Sequence, residues 1–189
     1  MSQFTVIYDA CVLYPESLRD LLMQLATTGM YRAKWTERIQ DEWTENVLKN
    51  NPHLKRERLT RTRQLMNEHA LDCLVTGYER LENSISLPDP DDRHVVAAAI
   101  VGKAEVIVTF NLKDFPTDEL AAYNIEAQHP DDFINNLIDL SQAKVCEAAK
   151  ICRARRKHPP IDVADYIACF ARQKLPQTAS FLREMAGLI

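Results

Sequence analysis

Three side chains that could bind a cation or orient a water stand just after apolar runs of this sequence. Asp9 directly follows residues 4–8, and Asn111 and Asp114 come shortly after residues 106–110. Both runs are rich in β-branched and aromatic residues, which is typical of buried strands. Because open parallel α/β sheets bind ligands beyond the carboxyl ends of their strands, we expect the three side chains to lie at one site.

Further carboxylates belong to two predicted helices. Glu42 lies within a helical pattern, and Asp91 or Asp92 can cap an alanine-rich helix. Carboxylates that gather at one place repel one another, which raises their pKa values unless a cation binds. Oxygen ligands without histidine or cysteine favour Mg²⁺ or Mn²⁺, ions that support phosphoryl transfer to water. Taken singly, each acid is more readily interpreted as a helix cap or an ordinary surface residue.

The elements that must position these acids alternate between strands and helices up to residue 128. Strands are predicted over residues 4–8, 106–110 and 125–127, with a short strand over residues 85–87. This alternation favours an α/β fold with a parallel sheet. The predicted helices cover residues 15–29, 36–50, 54–73, 91–102 and 117–123.

The remainder of the chain has a different character, because it contains no strand candidate. Prolines at 159, 160 and 176 separate its helical patterns. We therefore predict two domains, an α/β domain over residues 1–128 and an all-helical module over residues 129–189. The helical patterns of the second domain cover residues 131–140, 142–156, 162–174 and 178–185.

Composition excludes several classes of protein. The chain has 189 residues, of which 46% are hydrophobic, so wholesale disorder is excluded. No stretch reaches the roughly 18 consecutive apolar residues of a membrane span. The five cysteines contain no Cys-x-x-Cys pair, so a zinc ribbon is not expected and the thiols are predicted to be reduced. Since the first residues also lack a leader pattern, we expect a cytoplasmic protein.

Two clusters of basic residues interrupt an otherwise acidic chain of net charge −4. Five of the nine residues at 55–63 are basic, and a second cluster occupies residues 150–158. Such clusters attract phosphates, although each can also be a solvated helix face. The candidate RNA-binding residues are Arg56, Arg63, Arg93, Arg153, Arg155, Arg156 and Lys157.

Taken in order, these motifs resemble those of PIN-domain ribonucleases. The similarity is carried by residues 8–14 around the first aspartate, by residues 89–99, and by residues 106–116 with their pattern Thr-x-Asn-x-x-Asp-Phe. The last two stretches resemble bacterial VapC-type toxins, and the helical tail resembles an extension carried by one subset of those toxins. The resemblance implies a three-layer α/β/α fold with a parallel sheet, followed by the helical module.

The resemblance also implies the site and its chemistry. It implies an acidic centre that holds Mg²⁺ or Mn²⁺ and cleaves RNA with a metal-activated water. The third acid of the family pattern can be either Asp92 or Asp91, because both fit the resemblance equally well. Asn111 stands where many relatives carry an aspartate, so Asp91 and Asn111 both remain alternative metal ligands. Thr109 is placed to support a carboxylate or a water. The implied catalytic and metal-binding acids are Asp9, Glu42, Asp92 and Asp114.

We therefore predict a metal-dependent endoribonuclease that is the toxin of a toxin–antitoxin pair. Its expected partners are an RNA substrate, a small antitoxin protein and, by the resemblance alone, a second copy of the chain; no membrane partner is expected. One alternative is a PIN-fold nuclease of RNA processing that has no antitoxin. A second alternative is a catalytically inactive RNA-binding module, which the amide at Asn111 favours.

Overall fold

A computed structural model describes residues 3–189 of the chain. Met1 and Ser2, which belong to the predicted 1–128 domain and to the segment searched for a leader, lie outside the described residues. The helices are α1 (Ala10–Leu13), α2 (Glu16–Ala26), α3 (Glu37–Asn50), α4 (Arg56–His69), α5 (Arg93–Gly102), α6 (Thr117–Ala121), α7 (Pro130–Arg155), α8 (Val163–Arg172) and α9 (Pro176–Glu184), and short 3₁₀ helices span Glu79–Ser84, Pro90–Asp92 and Leu112–Asp114.

Four parallel strands form the sheet in the order β2-β1-β3-β4. The predicted parallel α/β fold is therefore confirmed. The strands are β1 (Phe4–Tyr8), β2 (Tyr31–Lys34), β3 (Val106–Val108) and β4 (Glu126–Gln128).

The predicted strand over residues 85–87 is wrong, since that segment is irregular, and β2 was not predicted. Isolated bridge pairing next to this edge of the sheet is made instead by Leu74, which pairs with Trp35 just after β2. The apolar side chains of Ile85 and Leu87 are buried without any ladder hydrogen bonds, so their alternation reflects packing of a loop.

Helices cover both faces of the sheet because successive side chains of a strand point to opposite sides. The Tyr8 hydroxyl donates to the Leu22 carbonyl of α2 over 3.2 Å. Its neighbour Ile7 packs on the other face, beside Gly102 at the end of α5. This arrangement confirms the three-layer α/β/α expectation.

Local signals explain why the two helices that carry acids begin where they do. The Thr36 hydroxyl caps α3 by accepting from the Ile39 backbone N–H over 3.1 Å. Before α5, the Asp89 carboxylate accepts from the Asp91 N–H over 2.9 Å, and Asp92 is the residue from which α5 starts. Both helices therefore enter the fold from the edge where β1 ends.

The helical tail packs directly on the α/β core. The Phe133 ring of α7 meets Tyr31 of β2 edge to face, with centroids 5.1 Å apart. Further along α7, the Cys152 thiol donates to the Asp20 carbonyl of α2 over 3.3 Å. The backbone of α7 is non-helical at Ser141, between the two predicted patterns. The domain boundary at residue 128 stays a prediction, because one continuous apolar cluster joins both parts.

The last helix is attached through a buried carboxylate. Asp131 accepts hydrogen bonds from the Gln177 N–H, the Thr178 N–H and the Thr178 hydroxyl, at 2.9, 2.8 and 2.8 Å. These contacts satisfy backbone donors at the start of α9 that no helical carbonyl can reach. Across residues 3–189, no helix combines the length and apolar character that crossing a membrane requires.

Candidate active site

Asp9 lies where β1 ends, with only 5% of its surface exposed. Its backbone N–H donates to the Val108 carbonyl over 3.1 Å, which extends the β1–β3 pairing by one residue. The parallel register then brings Thr109, the residue after β3, beside the aspartate. The position of this carboxylate is thus set by the sheet itself.

Two donors hold the same oxygen of the Asp9 carboxylate. Asp9 Oδ2 accepts from the Thr109 hydroxyl over 2.7 Å and from the Cys11 thiol over 3.0 Å. Thr109 is fully buried, and its Oγ1 also accepts from the Asn111 N–H over 3.0 Å. Burial and the neighbouring Asp9 raise the pKa of the Cys11 thiol, which keeps it protonated as a donor.

Glu42 lies on α3, and its carboxylate is in contact with the side chains of Arg38 and His94. Its Oε1 is 3.2 Å from Arg38 Nε, one helical turn earlier, and 3.1 Å from His94 Nε2. His94 is 1% exposed, and its Nδ1 is a buried atom without a partner among the described residues. The contact from His94 joins α3 to the first turn of α5.

Asp92 is half-buried at the start of α5, and its pKa is raised to about 6. Burial is the largest cause, and the negative charges of Asp9, Asp89 and Asp114 follow in that order. Aspartates from three separate segments of the chain are therefore close enough for their charges to interact. The charge of Asp114 contributes to the rise in the pKa of Asp92. Within residues 3–189, however, the Asp114 side chain does not line the pocket around which the other acids lie.

These groups surround an open pocket of about 420 Å³, which we call the acid pocket. Thr109 lies behind it, beneath Asp9, and the two alternatives left open by the sequence, Asp91 and Asn111, both face it. The side chains lining the acid pocket are Asp9, Ala10, Cys11, Tyr14, Glu42, Asn46, Asn50, Asp91, Asp92, His94 and Asn111.

The chemistry of the donor set fits a hard divalent cation. Aspartate, glutamate and asparagine oxygens dominate the lining, which is the ligand type of Mg²⁺ and Mn²⁺. The negative charges of Asp9, Asp89 and Asp114 add to the effect of burial on the pKa of Asp92, and a cation would relieve that charge repulsion. As the side chains stand in residues 3–189, no three acidic, histidine or cysteine groups converge closely enough to hold an ion. One of the acids, Glu42, is instead in contact with Arg38 and His94.

Two of the five basic residues in the first cluster pair with acids of the neighbouring helix. Arg56 pairs with Glu45 of α3, and Arg63 pairs with both Glu37 and Asp41. These pairs fasten α4 to α3 along their exposed sides. RNA binding by Arg56 and Arg63 stays a prediction, and it would require these pairs to be exchanged for phosphates.

The second cluster is divided between occupied and open cations. Arg153 donates to the Ile161 carbonyl over 3.2 Å, and Arg155 donates to the Gln24 Oε1 over 2.6 Å. Arg156 lies 3.4 Å from Glu16, whereas Lys157 is exposed at the end of the helix. None of these four residues lines the acid pocket in the described part of the chain.

Arg93 begins α5 directly after Asp92. It is half-buried, and its Nε has no partner among residues 3–189. Its proposed contact with RNA stays a prediction.

Sequence reasoning missed three neighbours of the acids. Arg38 stands four residues before Glu42, a spacing that places two side chains together on a helix, so this pair could have been found. Cys11 and His94 each lie two residues after a candidate acid, but nothing in their type distinguishes them from ordinary core residues. Their roles depend on packing between segments about 100 and 50 residues apart in sequence, which a local pattern does not contain.

Comparison with known proteins gives two matches to families and one to a curated relative. A PIN domain family matches residues 5–113, and the VapC50 C-terminal domain family matches residues 130–184. A protein of Mycobacterium tuberculosis (strain ATCC 25618 / H37Rv), named "Putative ribonuclease VapC50", is 61% identical over 49 residues. That match spans 26% of this chain and 29% of the relative. No solved structure matches the chain.

Proposed function

Because the chain belongs to the PIN domain family, we propose that it is a metal-dependent endoribonuclease that acts as a toxin neutralised by a small antitoxin protein. The observation that carries the proposal is the set of four carboxylates that line the acid pocket, namely those of Asp9, Glu42, Asp91 and Asp92. The similarity of the tail to the VapC50 C-terminal domain supports the toxin part.

We assign the metal to Asp9, Asp92 and Glu42, with Asp114 as the fourth acid. Asp91 and Asn111 face the same pocket and are the alternatives to Asp92 and Asp114. When bound, Mg²⁺ or Mn²⁺ supplies charge that stabilises the oxygens of the reacting phosphate and acidifies water. PIN nucleases generally use divalent ions, and the oxygen donors of this chain fit that chemistry.

The chain's own residues would fix the geometry of this reaction. Thr109 and Cys11 orient the Asp9 carboxylate by donating to one of its oxygens, which leaves the other oxygen to face the pocket. His94 and Arg38 hold Glu42 at the rim. These contacts fix Asp9 and Glu42 before substrate arrives, and binding of a metal ion would require the acids to move closer together.

Cleavage of RNA by the purified protein tests the nuclease proposal. Total cellular RNA is incubated with Mn²⁺ or with EDTA, and the new ends are mapped by sequencing. We expect cleavage at defined sites with Mn²⁺, none with EDTA, and none with Asp9→Asn under either condition. The matched control, Asp139→Asn, removes an exposed acid of α7 and should cleave as the wild type does.

Full activity in EDTA would contradict the metal requirement. RNA binding without any cleavage would favour the inactive RNA-binding module instead.

Induction in cells tests the toxin proposal. We expect growth arrest that Asp9→Ala abolishes and that co-expression of a small protein encoded next to this chain relieves. If the protein cleaves RNA but its induction does not arrest growth, an RNA-processing enzyme without an antitoxin is favoured.

Five unpaired cysteines and an RNA substrate are both consistent with the proposed cytoplasmic location. A homodimer is proposed from the resemblance, and light scattering of the purified protein would check it.

A further inference from the structure

The acid pocket continues into two other cavities across the surface. Tyr14 lines both the acid pocket and a middle cavity of about 390 Å³ between α2 and α4. Glu16, Asp20 and Arg58 line both the middle cavity and a third one of about 970 Å³, which we call the basic cleft. Shared lining residues show that the three cavities are neighbours on the surface, and we call the three together the groove.

The basic cleft joins the tail to the nuclease domain. Lys157 comes from the turn between α7 and α8, Arg172 from the end of α8, and Arg58 from α4. All three are exposed. Among residues 3–189, none of the three takes part in an ion pair. Arg172 donates to the Cys169 sulfur over 3.3 Å, but a thiol is a weak acceptor, so all three remain available to bind an anion.

The acids of the cleft are partly compensated from within the protein. Glu16 pairs with Arg156 over 3.4 Å, and Asp20 lies near Arg155 and Arg156, whose charges oppose the rise that burial causes in its pKa. Asp165 is exposed on α8. Counting formal charges, five arginine and lysine side chains face three carboxylates, which leaves a net charge of +2.

Opposite ends of the groove thus carry opposite charge. A pocket lined by carboxylates repels phosphates, so affinity for a nucleic acid must come from a different part of the surface. Cations that neutralise phosphates provide it by releasing counterions. A cationic cleft separated from the acid pocket only by the middle cavity meets this need.

We propose that the groove is the path of a single RNA strand, with its backbone bound by Arg58, Lys157 and Arg172 and its scissile phosphate at the acid pocket. The inference rests on the proposed nuclease function and assigns the helical tail a role in binding substrate. Of the predicted tail cations it keeps Lys157, and it adds Arg58 and Arg172, because Arg153, Arg155 and Arg156 are occupied by protein contacts.

Binding of a fluorescein-labelled single-stranded oligouridylate, measured by anisotropy in EDTA over a range of salt concentrations, tests the path. The variant Arg58→Gln/Lys157→Gln/Arg172→Gln should bind at least about 10-fold more weakly at low salt. Each lost phosphate contact lowers the slope of log K against log salt by about 0.7, so the slope should fall by about 2. Lys157→Gln alone should lower it by about 0.7, and Lys157→Arg should restore it.

The matched control is Arg32→Gln/Lys103→Gln/Arg183→Gln, which removes the same charge. These three residues are exposed, line none of the three cavities and take part in no ion pair among residues 3–189. The control should retain the wild-type slope. Equal weakening in both triple variants, or no change in either, would overturn the path. Loss of antitoxin binding with unchanged RNA binding would also overturn it, in favour of a protein-binding cleft.

Cleavage by the same proteins with Mn²⁺ separates this inference from the function on which it rests. If the wild type cleaves no RNA but the groove variant alone loses affinity, the nuclease proposal fails and the path stands. If the wild type cleaves and the groove variant binds and cleaves like the control, the path fails and the nuclease proposal stands.

Discussion

The two ends of the groove hold opposite charges by different structural means. At the acid pocket, Asp9 is 5% exposed and is fixed by the backbone of β1 and β3 and by a buried hydroxyl. At the basic cleft, Arg58, Lys157 and Arg172 are long exposed side chains from three segments. Reaction chemistry requires a fixed geometry, whereas attraction of a polyanion requires only charge in the right region. We therefore expect small changes at the acid pocket to lower cleavage strongly. At the basic cleft, we expect even the loss of several charges to have a smaller effect.

The largest expected effect is that of Asp9→Asn, which changes one atom of the most rigidly held acid. Changes to groups that merely support metal ligands cost about 10–100-fold, so removing a ligand charge should lower cleavage at least about 100-fold. The same variant should lose most of the rise in melting temperature that Mn²⁺ produces, since a ligand selective for the native state stabilises it. Thermal unfolding with and without Mn²⁺ measures this gain, and an unaltered gain would exclude Asp9 as a ligand.

Replacement of Thr109 by Val tests whether the support of Asp9 is as important as its charge. Val keeps the shape but removes the hydroxyl that donates to Asp9 and accepts from the Asn111 N–H. We expect about 10-fold slower cleavage, and a free energy of unfolding lower by about 1–3 kcal/mol because buried polar groups lose partners. Thr109→Ser keeps the hydroxyl and should retain most of the activity. Equal activity of the Val and Ser variants would show that the carboxylate does not need this bond.

The pH dependence of metal stabilisation follows from the raised pKa of Asp92. Because this pKa is about 6 in the folded protein, against an ordinary value of 3.8, the native state holds a proton that the unfolded state releases between those values. Through this group, stability without metal falls as the pH rises from about 4 to about 6. A divalent ion competes with that proton, so the gain in melting temperature from Mn²⁺ should be greater at pH 7.5 than at pH 5.0. Asp92→Asn should reduce the difference, and an undiminished difference would assign the titration to another group.

The smallest effect is expected at the occupied cations of the tail. Arg155→Gln/Arg156→Gln removes contacts to Gln24, Glu16 and Ser17 more than it removes free charge. Affinity for the oligouridylate should fall only about twofold, with nearly the wild-type salt slope, because few phosphate contacts are lost. A slope reduced by about 1.4 would show instead that both arginines leave their protein partners to bind RNA.

The sequence was sufficient for the parts of the fold that repeat a local pattern. Strands β1 and β3 are short apolar runs, and both were found with the acids that follow them. Strand β2 was missed because Arg32 and Lys34 alternate with Tyr31 and Ala33, so this edge strand lacks a continuous apolar run. The segment at residues 85–87 shows the opposite error, since its two buried residues imitate a strand.

The candidate site divides in the same way. Asp9, Asp91, Asp92 and Asn111 were identified from their places after strands or before a helix, and all of them line the acid pocket. The support from His94 to Glu42 was not foreseeable, because it depends on how α3 and α5 meet. The occupied state of the tail arginines likewise depends on how α7 meets α2.

The contact between Phe133 and the rings of Tyr31 and Phe4 bears on the order in which this protein is made. A chain growing from its amino end completes β1, β2 and the segments that carry the acids before α7 exists. Until α7 is synthesised, the aromatic face of those first strands is covered by α2 but lacks the Phe133 ring, so the sheet lacks part of its apolar burial. We therefore expect the ribosome-bound chain to acquire a protease-resistant core only after α7 has emerged, so that the proposed nuclease activity would arise late in translation.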